Sequence, residues 1–303
     1  MTARILDGKK IASEIKDELR VRVERLAARG VTPGLGVLLV GDHPASRSYV
    51  TAKETACAEV GILSREVALS ATASADDILT AVARFNEDAT IDGILVQLPL
   101  PDSRIEQQVI ETILPEKDVD GFHPISVGHM MLGLPGFWPC TPHGIIQILQ
   151  RSEVTIAGAH VVIVGRSNIV GRPLANLLTQ KSASGNATVT ICHTATRHLA
   201  DHTRQADIVV AAAGRPHTVT ADMVREGAVV IDVGVNRIPD ATKKRGFRLI
   251  GDADYDELLP RVSAITPVPG GVGPMTIAML LSNTVQSAEH RAARDVTAPR
   301  TRA

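Results

Sequence analysis

Short, largely apolar runs recur along this chain at 37–40, 93–96, 161–164, 189–191, 208–211 and 229–231. Continuous runs of this length are the pattern of strands buried on both faces, as in a parallel sheet. Helical patterns lie near 9–29, 44–60, 75–87, 104–113, 142–151, 171–181 and 275–289. Strands that alternate with helix-length segments predict βαβ units and an α/β fold. The stretch 101–158 carries no strand pattern and divides the strands into two sets, so it is the expected domain boundary. From about 290 to Ala303 the chain is rich in Arg and Ala without an apolar period, which predicts a loose tail.

Composition narrows the function classes. With 303 residues the chain is long enough for one large or two ordinary domains. A formal net charge of −1 supplies no global field for nucleic acid or for an anionic membrane. No run of eighteen apolar residues suggests a membrane span, and the first residues lack a signal-peptide core. Three scattered cysteines, Cys57, Cys140 and Cys192, argue against a disulfide framework and fit the cytoplasm. Cys192, His193, His198 and His202 cluster in sequence but lack metal-ligand spacing, so no metal is expected.

In the second half, an apolar run ends in Gly165-Arg166-Ser167-Asn168-Ile169-Val170-Gly171-Arg172-Pro173 and a helical pattern follows. Glycine at a strand end permits a sharp turn and close approach of a pyrophosphate, which the next helix N-terminus can bind. The spacing is neither G-x-G-x-x-G nor a Walker A loop, and a structural turn would also account for it. NAD-binding folds place Asp or Glu about 20 residues further on, to hold the ribose 2′-hydroxyl. Here that region reads Cys192-His193-Thr194-Ala195-Thr196-Arg197, with no carboxylate. Arg166, Thr194 and Arg197 suit a 2′-phosphate instead, which favours NADP over NAD.

The first half offers a different chemistry. Tyr49 and Lys53 are i and i+4 on a predicted helix and share a face, an aromatic plate beside an ammonium group. Such a pair also describes an ordinary solvated face. Gln97 ends a buried strand, where an unpaired amide would be costly, and Asp118 and Asp120 precede the turn at Gly121. Near the C-terminus, Thr266-Pro267-Val268-Pro269-Gly270-Gly271-Val272-Gly273-Pro274-Met275-Thr276 packs three glycines and three prolines into eleven residues before an apolar run. Proline fixes φ and glycine removes the side chain, so this is a shaped backbone surface or a tight helix-packing turn.

Taken together, the blocks Ser-x-x-Tyr-Val-x-x-Lys (46–53), Val-Gln-Leu-Pro-Leu-Pro (96–101) and Lys-Asp-Val-Asp-Gly-Phe-His-Pro (117–124) have a familiar order. They are followed by Pro-Cys-Thr-Pro-x-Gly (139–144), Gly-Arg-Ser-x-x-Val-Gly-x-Pro (165–173), Asp-Val-Gly-Val-Asn-Arg (232–237) and Pro-Val-Pro-Gly-Gly-Val-Gly-Pro-Met-Thr (267–276). From about residue 5 to 289 the chain resembles the bifunctional methylenetetrahydrofolate dehydrogenase/methenyltetrahydrofolate cyclohydrolase family.

The resemblance implies an α/β catalytic domain over 1–140 completed by a C-terminal helix at 275–290. It further implies a Rossmann-type NADP-binding domain over 141–274 and a homodimer. Lys53 would be catalytic, Tyr49 would stack on the folate, Gln97 would bond Lys53, and Asp120 would accept from the pterin. Pro269, Gly270 and Gly271 would close over the substrate. Gly165, Arg166 and Ser167 would meet the cofactor's phosphates and ribose, Thr194 its 2′-phosphate, and Val235 and Thr276 its nicotinamide end. The rival readings are a two-domain oxidoreductase resembling shikimate or amino-acid dehydrogenases, and a non-catalytic folate- or nucleotide-binding protein.

Overall fold

The computed structural model describes residues 3–243 and 246–297. From the N-terminus the chain forms β1 (Arg4–Ile5), α1 (Gly8–Ala27), β2 (Gly34–Val40), α2 (Pro44–Val60), β3 (Leu63–Leu69), α3 (Ala75–Glu87) and β4 (Gly93–Val96). Next come α4 (Glu106–Thr112), α5 (Pro124–Leu132), α6 (Cys140–Arg151), β5 (His160–Val164), α7 (Gly171–Thr179), β6 (Thr188–Cys192), α8 (Leu199–Thr203) and β7 (Ile208–Ala211). The series closes with β8 (Val229–Asp232), β9 (Asn236–Pro239), β10 (Phe247–Ile250), α9 (Tyr255–Leu258), β11 (Ala264–Ile265) and α10 (Val272–Thr297). The chain divides into two compact units, 1–12 with 141–276 and 13–140 with 277–303.

The first unit carries a six-stranded sheet in the order β1-β11-β8-β7-β5-β6, with every pairing parallel. After β1, which forms one edge, the chain re-enters this sheet at β5, moves outward to the other edge at β6, then returns to build β7, β8 and β11 between β5 and β1. That reversal puts a topological switch point between β5 and β7, where ligands of open α/β sheets collect. Val161, Val162 and Ile163 of β5 and all four residues of β7 are buried, which is why both read as unbroken apolar runs. β9 and β10 form a separate antiparallel ribbon.

The second unit is built on a three-stranded parallel sheet, β3-β2-β4. All seven residues of β2 are buried, and β3 and β4 flank it, so its own switch point lies between β2 and β4. α3 begins with a capping box: the Ser74 hydroxyl accepts from the Asp77 N–H, and the Asp77 carboxylate accepts from the Ser74 N–H. Its buried stripe Ile78, Ala81, Val82 and Phe85 joins a core with Leu38, Ile94 and Val109.

Two expectations change. Residues 1–12 group with 141–276 instead of with the rest of 1–140, because β1 pairs in parallel with β11 and the Leu6 N–H donates to Ile265 O at 2.9 Å. The expected tail beyond 290 begins as helix: α10 continues to Thr297, with Ala292 buried and Arg291 bonded to Asp92. Residues 298–303 lie outside the described residues.

Candidate functional site

In the second unit, α2 carries both Tyr49 and Lys53. Lys53 is only 9% exposed, and its Nζ donates to Gln97 Oε1 at 3.1 Å. Gln97 sits directly after β4, its own N–H held by Leu38 O at 2.9 Å and its Nε2 donating to Leu98 O at 2.7 Å. The amide is therefore fixed with its oxygen on the lysine. Burial lowers the Lys53 pKa, since an ammonium loses hydration there, while the Asp120 carboxylate acts in the opposite direction. Burial likewise pushes Asp120 up to about 6, partly offset by Lys53. Lys53, Gln97 and Asp120 thus come together, from an α-helix, a strand end and a loop.

Tyr49, 44% exposed, lines a cavity of about 560 Å³ together with Gly41, Gln97, Leu98 and Pro99. The cavity occupies the β2/β4 switch point and has the volume of an ordinary small-molecule site. Gln97 both borders it and bonds Lys53.

The loop that presents Asp120 is itself anchored. Lys117 donates through Nζ to Phe85 O, Asn86 O and Asp88 O at the end of α3. Asp118, 1% exposed, accepts from the Phe122 and His123 N–H groups and closes the turn. Asn283 of α10, also buried, donates to Val119 O at 2.8 Å and Trp138 O at 3.1 Å. Cys140 is a buried thiol whose Sγ–H donates to Val119 O. Sequence spacing alone did not separate Asp118 from Asp120, and Asn283 gave only a polar interruption in an apolar helix.

In the first unit β5 ends at Gly165, whose φ is 143°. A Cβ there would lie 2.0 Å from Ala212 O, and one on Gly171 would lie 2.2 Å from Gly165 O. The loops after β5 and β7 therefore approach at the switch point more closely than any side chain permits. Ser167 Oγ accepts from the Val170 and Gly171 N–H groups and braces the turn into α7, with Arg166 exposed beside it. After β6 the His193 N–H is held by Thr196 Oγ1 and the Ala195 N–H by His193 Nδ1, a tight turn on which Thr194 and Arg197 are exposed. Val235 is 48% exposed. Space for backbone contact at Gly165, a helix start directly after it and exposed cations without a carboxylate after β6 fit a dinucleotide carrying a 2′-phosphate.

Pro269, Gly270, Gly271 and Thr276 belong to this same unit. Gly270 (φ 115°) accepts through its carbonyl from the Lys9 N–H, and a Cβ on Gly8 would lie 1.8 Å from Gly271 O. The start of α1 is thus pressed on the glycine loop. Thr276 Oγ1 meets Thr141 Oγ1 at 2.9 Å, joining two sequence blocks 135 residues apart. Among the described residues, no group of three His, Cys, Asp or Glu side chains is placed to hold a metal ion, and no helix is long and apolar enough to cross a membrane.

Fold and sites define a two-unit α/β enzyme of the dinucleotide-binding class. Residues 6–120 match the catalytic domain, and 139–292 the NAD(P)-binding domain, of tetrahydrofolate dehydrogenase/cyclohydrolase. The chain belongs to that family. A bifunctional protein FolD from Cytophaga hutchinsonii is 53% identical over 94% of this chain and 99% of its own length. One from Dehalococcoides mccartyi (strain CBDB1) is 54% identical over 95% and 98%. Among solved structures, the bifunctional FolD methylenetetrahydrofolate dehydrogenase/cyclohydrolase of Campylobacter jejuni superposes with a TM-score of 0.89 at 47% identity, covering 95% of this chain and 99% of that one. The Trypanosoma brucei enzyme, complexed with NADP cofactor and inhibitor, gives a TM-score of 0.91 at 39% identity, covering 96% and 99%.

Proposed function

We propose that this chain oxidises 5,10-methylenetetrahydrofolate to 5,10-methenyltetrahydrofolate with NADP and hydrolyses the product to 10-formyltetrahydrofolate. One observation carries the reading: a buried lysine, bonded at 3.1 Å to a strand-end glutamine, beside a switch-point cavity faced by an exposed tyrosine. The family and its bifunctional relatives support it over a shikimate- or amino-acid-dehydrogenase-like enzyme or a non-catalytic binder.

Residues 13–140 with α10 from Ile277 form the folate unit, and 141–276 with β1 form the nucleotide unit. Gly165, Arg166 and Ser167 hold the phosphates and ribose, Thr194 the 2′-phosphate, and Val235 and Thr276 the nicotinamide end. When bound, NADP supplies the hydride acceptor. Tyr49 offers its ring face to the folate, and Asp120 accepts hydrogen bonds from the pterin. The Pro269–Gly270–Gly271 backbone supports the substrate and the nicotinamide while the hydride is transferred.

Hydride loss leaves a cationic methenyl carbon, to which water adds with loss of a proton; the bond from that carbon to N5 then breaks, N5 takes up a proton, and the formyl group stays on N10. Lys53 takes the proton lost by the water at Nζ. Burial already biases it toward the neutral amine, and a cationic substrate biases it further. Gln97 holds the Nζ in place through Oε1. The protein acts as a cytoplasmic homodimer; the support is family membership, together with three buried free thiols that suit a reducing compartment.

The test is to supply purified protein with methylenetetrahydrofolate and NADP⁺ or NAD⁺, following reduced cofactor and the methenyl intermediate. Faster reduction of NADP⁺ than NAD⁺, with conversion onward to the formyl product, is expected. Failure to reduce either cofactor would overturn the reading, and turnover of shikimate or an amino acid without folate would favour the rival oxidoreductase.

A further inference from the structure

Asp232 and Asp252 take no part in the roles above, yet both are buried in the first unit, 2% and 0% exposed. Asp232 ends β8. Its Oδ1 accepts from the N–H groups of Gly234 and Asp252 at 3.0 and 2.9 Å, and its Oδ2 accepts from Ala253 at 3.0 Å. Asp252 Oδ2 accepts from the Gly214 N–H at 2.7 Å, and its Oδ1 from Asn236 Nδ2 at 2.8 Å. The Asp232 N–H donates to Thr266 Oγ1 at 2.7 Å, one residue before Pro267 opens the glycine loop. Thr266 is itself 0% exposed.

Three chain segments therefore converge on the two carboxylates: the turn after β7 at Gly214, the segment 234–236 after β8 and the segment 251–253 after β10. Thr266, after β11, holds the backbone N–H of Asp232. The glycines between them are sterically required. A Cβ on Gly234 would lie 2.1 Å from Asp252 Oδ1, and one on Gly251 would lie 1.7 Å from Asp232 Oδ2. The arrangement leaves Val235, between Gly234 and Asn236, as the exposed apex of a pinned turn. Burial raises Asp232 to about 6, so the pair is held at a cost in solvation that the ring of N–H donors offsets.

We propose that Asp232, Asp252 and Thr266 are positioning residues for hydride transfer, fixing the Val235 turn and the entry to the glycine loop as one rigid frame at the nicotinamide end. The inference rests on the assignment of the first unit as the NADP-binding one. Their effect is on geometry: both segments must hold a ring at near-attack distance, and a displacement near 1 Å costs about 100-fold in rate. The hydrolytic site on the second unit does not depend on them.

In Asp252→Asn one carboxylate oxygen becomes a donor and opposes either the Gly214 N–H or Asn236 Nδ2, releasing one of the two tethers. Full-length enzyme would be assayed for dehydrogenase kcat, for hydrolysis of supplied methenyltetrahydrofolate, and for binding of adenosine 2′,5′-bisphosphate, which occupies only the phosphate end. A fall in dehydrogenase kcat of about tenfold or more is expected. Hydrolysis and bisphosphate affinity should stay within about twofold, a change worth less than 0.5 kcal/mol. Thr266→Val, which keeps the shape and removes the hydroxyl, should act the same way, and Thr266→Ser should restore the rate. These two milder variants decide the matter if Asp252→Asn does not fold. Parallel loss of both activities, or no selective loss of hydride transfer, overturns the positioning role. A wild-type enzyme that fails to bind NADP overturns the underlying assignment instead.

Discussion

Lys53 shows how one side chain is made chemically useful by what surrounds it. An exposed lysine is almost wholly protonated at neutral pH and cannot accept a proton; burial in the second unit lowers that preference, and the Asp120 carboxylate resists the change. The sign of a substitution follows. Asp120→Asn removes the opposing charge, so the Lys53 pKa falls further and the rising limb of the hydrolysis rate moves to lower pH. A pH profile of kcat on supplied methenyltetrahydrofolate measures it, and a limb that stays put or moves upward would assign the titration to another group. Lys53→Met should lower the same kcat by about 100-fold or more, the usual contribution of a positioned acid–base group. It should leave NADP affinity intact, since the residues proposed for the cofactor lie in the other unit. Much of this was legible: Tyr49 and Lys53 share a helix face by spacing alone, and Gln97 ends an apolar strand. Spacing alone does not separate Asp118 from Asp120; only the family resemblance named Asp120, and the structure has Asp118 closing its own turn on Phe122 and His123.

At the level of elements, legibility tracked burial. β2, β4, β5, β7 and β8 are buried along nearly their whole length and read as apolar runs, whereas β3, Leu-Ser-Arg-Glu-Val-Ala-Leu, is exposed or half-buried throughout and its polar residues hide it. β1 and β11 are two residues each, too short for any period, and the antiparallel ribbon β9–β10 shows no sustained alternation. α10 was visible as an apolar segment, but its continuation past 290 was not. That continuation has a measurable consequence. Arg291 donates through Nε and Nη2 to Asp92, whose side chain is 1% exposed and which also accepts from the Gly34 N–H at the start of β2. Arg291→Leu would leave a buried carboxylate without its cation. Breaking a buried pair costs about 3 kcal/mol at the low end, the appropriate end for an arginine that is one-third exposed. Thermal unfolding should shift down by roughly 5 °C for a chain of this size, with kcat at low temperature little changed. An unchanged melting temperature would mean that α10 is not anchored through this pair.

Across the whole molecule, sequence order and structural unit do not coincide. The first twelve residues complete a sheet whose other strands begin at 160, and the chain from 277 onward completes a unit that otherwise ends at 140. No local pattern reveals this, because both completions are contacts across more than 140 residues. Seven sequence blocks in family order nonetheless pointed to both units, since each block sits at a strand end or helix start where backbone shape is constrained. The discontinuity makes a strong prediction about fragments. Without α10, residues 13–140 lose the Asn283 bonds to Val119 O and Trp138 O, the Ser287 bond to Glu116 O, the Arg29 bond to Ala292 O, and the ion pairs Arg22–Glu289 and Arg291–Asp92. They also lose the helix that carries the buried side chains Leu281, Val285, Ala288 and Ala292. A folded domain is stable by only about 5–15 kcal/mol, and such losses at about 1–3 kcal/mol each, added to the lost apolar burial, are of that size. The fragment 13–140 should therefore show no cooperative thermal transition by circular dichroism, whereas the same fragment carrying 277–294 on a flexible linker should melt cooperatively. A cooperative transition in the bare fragment would show that the unit folds without α10, and that the bonds from the C-terminal helix decorate a core already stable without them.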